Sequence, residues 1–247
     1  MKLLAGDPQS SSAFQRTAGI LAVIALPLAF ASNLLLLMPF DLDLAAASDP
    51  VEALNLRADQ GAMLRWGLIL DLFGYYLLLL PLTLALRQWT RRETSQWMAL
   101  ATICGIAYVM IGAIGAAGLA AVVPTLIDQH GLATSEVRSA IEVGFVLIND
   151  FVVQGLWNTL EVLLLGVWAG VVGAVMLRER RGLAFVSLAL AAAAVLDGTA
   201  HIFALSAVSD VALSAYLLLA PTWALWLGLA IIRDSPVTVK AKGPGVG

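Results

Sequence analysis

The chain has 247 residues, of which 60% are hydrophobic and 13% charged, with a formal net charge of −3. A water-soluble domain of this length cannot hide so much apolar surface, so an ordinary globular fold is excluded and a bilayer is the expected solvent, with membrane lipids as partners. The mildly acidic balance argues against nucleic acid as a partner, and a single cysteine, Cys104, excludes an intramolecular disulfide or a thiolate metal cluster.

A bilayer core of about 30 Å requires about 20 helical residues. Six stretches meet that length, at 17–39, 62–86, 97–125, 150–177, 183–206 and 211–232. The first follows a polar segment, residues 6–16, rather than the short apolar core of a signal peptide, and is read as an uncleaved helix. The second carries Asp71 within apolar sequence, and Tyr75 one turn further on. The third is rich in glycine (Gly105, Gly112, Gly115, Gly118).

The run 139–177 is too long for one crossing. Its first part, flanked by Glu136, Arg138 and Glu142, is expected to extend the fourth helix outside the hydrocarbon. Gly166, Gly170 and Gly173 then give the fourth span a small-residue face. Close packing within one bundle is the leading reading of these glycines, and a homo-oligomer interface is the alternative. The fifth span holds Asp197 and His201, and the sixth holds Tyr216. Pro27, Pro81 and Pro221 are expected to kink their helices. Residues 1–234 thus form a single all-α, six-transmembrane-helix bundle, and 235–247, with Pro236 and Pro244, a disordered cytoplasmic tail.

Charge placement orients the bundle. Lys2, Arg16, Arg87, Arg91, Arg92, Arg178, Arg180, Arg181, Arg233, Lys240 and Lys242 all fall on one side. Asp41, Asp43, Asp49, Glu52, Asp59, Asp128, Glu136 and Asp210 fall on the other. By the positive-inside rule both termini are cytoplasmic, in a cell membrane expected to be a bacterial plasma membrane.

The polar residues inside the spans carry the functional reading. Counted at 1.5 Å per residue from the basic ends, Asn33, Asp71, Glu161 and Asp197 all lie about 24–26 Å from the inner boundary, in the outer leaflet. Tyr216 returns to the same height, and His201 sits about one turn further out. Asp150, Gln154, Asn158 and Glu161 follow one α-helical stripe, while Asp71–Tyr75 and Asp197–His201 are i, i+4 pairs. A charge facing lipid in mid-span costs about 2.5–3.5 kcal/mol, so several at one depth are expected to face each other or water in an outward-facing pocket. Close together, Asp71, Glu161 and Asp197 are not expected to ionise all at once. Arg65 is expected to reach the interface or to pair with Asp71. Asn33 and Asn158 are read first as hydrogen bonds between helices.

The segment RWGLILDL, with Arg65, Gly67 and Asp71, resembles the R-x-G-x-x-x-D-L signature on the second helix of a bacterial integral-membrane family known as domain of unknown function 4386. LEVLLLG around Glu161 is similar to that family's histidine-containing fourth-helix segment, with glutamate where histidine is expected. VLDG around Asp197 resembles its fifth-helix pattern. The sequence after Pro221 departs from the family by lacking a glutamate. The resemblance implies a six-helix fold and the importance of Asp71, and it implies no reaction.

The function expected is binding of a small molecule, lipid or cation by Asn33, Asp71, Tyr75, Asn158, Glu161, Asp197, His201 and Tyr216. One alternative is an acid–base enzyme using Asp71, Glu161 and Asp197 on a lipid-soluble, isoprenoid-like substrate, walled by Tyr75, Tyr76, Trp157 and Phe203. Others are a proton-coupled transporter and a structural or regulatory subunit. Asp71, Glu161, Asp197 and His201 as a metal set is the weakest reading, and no metal is assigned. No phosphate loop, nucleophile elbow, H-E-x-x-H or dinucleotide motif is present, and no cofactor is expected.

Overall fold

A computed structural model describes residues 8–90 and 95–235. Lys2, Arg91, Arg92, Lys240, Lys242 and the expected tail from 236 onward lie outside the described residues. Among those described, the fold is all helical with no strand. The helices are α1 Pro8–Leu37, the short α2 Leu44–Ala47 and α3 Pro50–Leu54, α4 Ala58–Asp71, α5 Leu80–Trp89, α6 Gln96–Leu132, α7 Ser135–Asn149, α8 Val162–Met176, α9 Arg181–Ile202 and α10 Ser206–Asp234.

Six helical runs are long and apolar enough to cross a membrane: Ser11–Phe40, Ala58–Trp89, Gln96–Leu132, Ser135–Met176, Arg181–Ile202 and Ser206–Asp234. They correspond one for one to the six expected spans. Each packs against its neighbours in the chain, and the sixth closes against the first, so the six form a ring around a shared interior. At the closure α1 and α10 touch backbone to backbone. A Cβ on Gly228 would lie 2.6 Å from the Gly19 carbonyl oxygen.

The packing is inverted relative to a water-soluble bundle. The inward face of α1 is a stripe of alanines, Ala18, Ala22, Ala25 and Ala29, each fully buried. Large side chains such as Ile20, Ile24, Phe30 and Leu34 point away from the bundle. Ile103, Met110 and Ile114 on α6 and Leu218, Trp226 and Leu229 on α10 continue that apolar exterior. The interior instead collects aromatic rings.

Two spans depart from the α-helix. In the second, α4 ends at Asp71 and gives way to a π-helical turn, Leu72–Tyr76, then a 3-10 turn, Leu77–Leu79, before α5. Pro81 stands in the first turn of α5. It donates no hydrogen bond and its ring crowds the carbonyl four residues back, and the ladder changes type just before it. In the fourth span α7 runs into a long π-helical segment, Asp150–Glu161, and then into α8. Pro27 and Pro221 lie inside continuous α-helices.

The fifth helix stops at Ile202, short of the expected 206. Its end is a Schellman turn in which Leu205 donates to the Ala200 carbonyl (2.8 Å) and Ala204 to the His201 carbonyl (3.1 Å). Ala204 adopts φ 53°. Glycine is the usual residue in this position, so alanine supplied no stop signal to the sequence reading, and the sixth helix accordingly starts earlier than expected.

Candidate functional site

Two of the chain's four tyrosines bond one buried carboxylate, and the other two pack against them. Glu161, the last residue of the π segment, is 1% exposed. The Tyr76 hydroxyl donates to it, 3.2 Å from both Oε1 and Oε2, and the Tyr216 hydroxyl donates to Oε1 at 3.1 Å. The Tyr108 hydroxyl lies 3.3 Å from that of Tyr216 and donates to the Tyr75 carbonyl at 3.2 Å. Spans two, three, four and six are thereby joined at one level.

Tyr75 ties in the first span. Asn33 donates from Nδ2 to the Tyr75 hydroxyl (3.0 Å), which donates to the Leu217 carbonyl (3.2 Å). That carbonyl lies four residues before Pro221, so it is the one that proline deprives of its helical donor. The phenol replaces the missing N–H. The structure thus accounts for Asn33 as a bond between helices, in line with the first reading of it.

Asp71 immediately precedes the π turn of the second span. It is buried, and its carboxylate lies close enough to Glu161, Tyr75, Tyr76 and Tyr108 to interact with them electrostatically. Its Oδ2 has no hydrogen-bond partner. Arg65 is exposed and does not pair with it. Among the described residues no basic side chain reaches ion-pair distance of either Asp71 or Glu161.

The interior below Glu161 is aromatic. Tyr76 and Tyr108 have ring centroids 5.6 Å apart, Tyr108 and Trp168 5.9 Å, and Trp168 meets Trp223 edge-on at 5.0 Å. The column ends where Trp223 Nε1 donates to Ser187 Oγ at 2.7 Å. Glycines of α6 make room for it. A Cβ on Gly112 would fall 1.9 Å from the Tyr76 ring, and one on Gly105 2.9 Å from Trp168. Gly166 and Gly173 similarly seat Val195 and Leu188 of α9. These contacts are all within one chain.

Asp197 does not join this group. It is fully buried, but its Oδ1 accepts from Ser209 Oγ (2.9 Å) and lies 3.2 Å from His201 Nδ1, which is 2.8 Å from Ser209 Oγ. The ionisable groups near it are His201 and Asp210, neither of which belongs to the tyrosine cluster. Asp71, Glu161, Asp197 and His201 therefore do not make one ligand set. Among the described residues no three of histidine, cysteine, aspartate and glutamate gather closely enough to hold a metal ion.

The expected stripe on the fourth span also changes. Asp150 and Gln154 are exposed while Asn158 and Glu161 are buried. In a π-helix each residue turns through a smaller angle than in an α-helix, so eleven residues no longer return to the same face. Asn158 reaches back to Gln154, donating to Oε1 at 3.5 Å, and not to Glu161. Of the expected aromatic walls, Phe203 is 70% exposed, and Trp157 donates to the Gly112 carbonyl at 3.4 Å.

Sequence reasoning missed Tyr108 and Ser209. A signal existed for the first: with only four tyrosines in so apolar a chain, each buried phenol must find a partner, and Tyr108 stands in mid-span. For Ser209 there was none, because its partners depend on the turn at Ala204.

No family model, curated protein or solved structure matches the chain.

Proposed function

We propose that the chain is a multi-pass membrane protein that binds a small cation inside its helical ring, at Asp71 and Glu161. The single observation carrying this reading is a charge imbalance. Two carboxylates stand in a common interior lined by four neutral phenols, and no basic side chain among the described residues offsets them. Two uncompensated charges buried together are costly, so at least one of the acids takes a proton or a cation that is not part of the protein. Tyrosine faces are suited to holding one.

Insertion in a bilayer is supported by the six apolar runs and by the inverted packing, with alanines inside and large apolar side chains outside. Six crossings put both ends of the chain on one side. Arg87, Arg178, Arg180, Arg181 and Arg233 cluster at the helix ends there, which argues for the cytoplasm. The acid pair then lies toward the outer leaflet and loads from outside.

The test is a thermal-unfolding titration of the full chain in detergent with sodium, tetramethylammonium and short alkylammonium chlorides. A cation bound at 100 times its Kd adds about 2.7 kcal/mol, a shift of several degrees. The shift should vanish in Asp71→Asn and in Glu161→Gln. Equal responses from both variants and the parent, or no response to any of the salts, would remove this reading.

A further inference from the structure

We propose that the resident counter-ion of this site is a single proton held by Asp71, with the negative charge held by Glu161, and that an entering cation displaces it. The site would then exchange one proton for one monovalent cation. The exchange step rests on the cation-binding reading above; the placement of the proton does not.

The two acids are treated very differently by their surroundings. Glu161 receives phenolic donors on both oxygens, from Tyr76 and Tyr216, at 3.1–3.2 Å. Hydroxyl-to-carboxylate bonds are among the stronger hydrogen bonds, and they favour the charged form of the acceptor. Asp71 has no such help, since its Oδ2 is buried without a partner. Leaving a neutral carboxyl oxygen unpaired costs far less than leaving an ion unpaired. Two neighbouring carboxylates in a low-dielectric interior share one charge, and the better-solvated one keeps it.

No other group facing Asp71 alters this assignment. Tyr75 and Tyr76 approach it from its own span, Tyr108 from the third and Glu161 from the fourth. Asn33 of the first span, which is uncharged, bonds Tyr75, and Tyr216 of the sixth bonds Glu161. On the fifth, Asp197 and His201 are engaged with each other and with Ser209.

In the exchange, the O–H bond of Asp71 breaks, the proton leaves to solvent, and the carboxylate so formed takes the cation. No electron is transferred, and the site carries one net negative charge before and after. The ring therefore meets no new charge in either loaded state. That equality is what an exchanger requires, and it selects a monovalent over a divalent partner.

The experiment is infrared spectroscopy of the full chain in liposomes near neutral pH, with no cation ligand needed. Protein carrying 13C-carboxyl aspartate is compared with protein carrying 13C-carboxyl glutamate. A protonated-carboxyl band should move with the aspartate label and stay with the glutamate label. One component of it should disappear in Asp71→Asn and persist in both Glu161→Gln and Asp197→Asn. A band that follows the glutamate label, a band lost wholly with Asp197→Asn, or no protonated-carboxyl band at all would overturn the assignment. The labelled parent protein decides the question even where a variant fails to fold. If the band behaves as stated but no salt shifts the unfolding temperature, the proton stands and the cation reading alone fails.

Discussion

Replacing Gly112 by alanine probes how the tyrosine cluster is built. The added methyl carbon would sit 1.9 Å from Cε1 and 2.4 Å from Cδ1 and Cζ of Tyr76, far inside van der Waals contact. The ring cannot swing clear. It is 4% exposed, and Tyr75 and Tyr108 confine it at centroid distances of 6.3 and 5.6 Å. Overpacking a core of this kind costs about 1–3 kcal/mol. Any shift of the ring also draws the hydroxyl from Glu161, where a bond to a charged acceptor contributes about 1.5–3 kcal/mol. Against this, alanine gains about 1 kcal/mol over glycine in a helix. The net expectation is a loss of about 1.5–5 kcal/mol.

Gly118, on the same helix, provides the control, because a Cβ there meets nothing within 4 Å. Gly118→Ala should therefore be neutral or stabilising by up to about 1 kcal/mol. Reversible unfolding in detergent micelles measures both. Tyr76→Leu in the Gly112→Ala background should recover the overpacking part of the loss. If Gly112→Ala is as stable as Gly118→Ala, the tyrosine ring does not lie on the α6 backbone and the site geometry derived from it is wrong.

Further outcomes follow from other contacts. Tyr75→Phe should cost about 1–3 kcal/mol by leaving the Leu217 carbonyl without a donor, and Pro221→Ala should cancel most of that cost by restoring a backbone N–H; additive effects in the double-mutant cycle would refute the pairing. Ala204→Gly should stabilise the turn after α9 by about 1–2 kcal/mol, seen as a raised unfolding temperature, because alanine is strained at φ 53°. Gly228→Ala, whose added methyl would fall 2.6 Å from the Gly19 carbonyl oxygen, backbone that has no rotamer to yield, should separate α10 from α1 and lower the unfolding temperature. By contrast Asp234→Ala, which removes the acceptor for Trp89 and Arg180 at a partly exposed helix end, should cost no more than about 1 kcal/mol.

Composition and hydrophobic run length alone determined the number and order of the helices long and apolar enough to cross a membrane, because a long apolar run has little choice but to satisfy its own backbone as a helix. Depth counting along each span concerned the same residues. It placed Asn33, Asp71, Glu161 and Tyr216 at one height, and the structure brings these four spans together through Tyr75, Tyr76 and Tyr216. Height does not specify rotation about the helix axis. Asp197 shares the level and yet turns to Ser209 and His201, while Asp150 and Gln154, though in register with Glu161 on an α-helix, face outward on the π segment that forms there. Only the tertiary structure decided these rotations, through the turn at Ala204, the ladder change before Pro81 and the seats that Gly105 and Gly112 provide for aromatic rings. Each depends on which neighbouring helix supplies the missing donor or the free space, and a single chain read in one dimension carries no record of its neighbours.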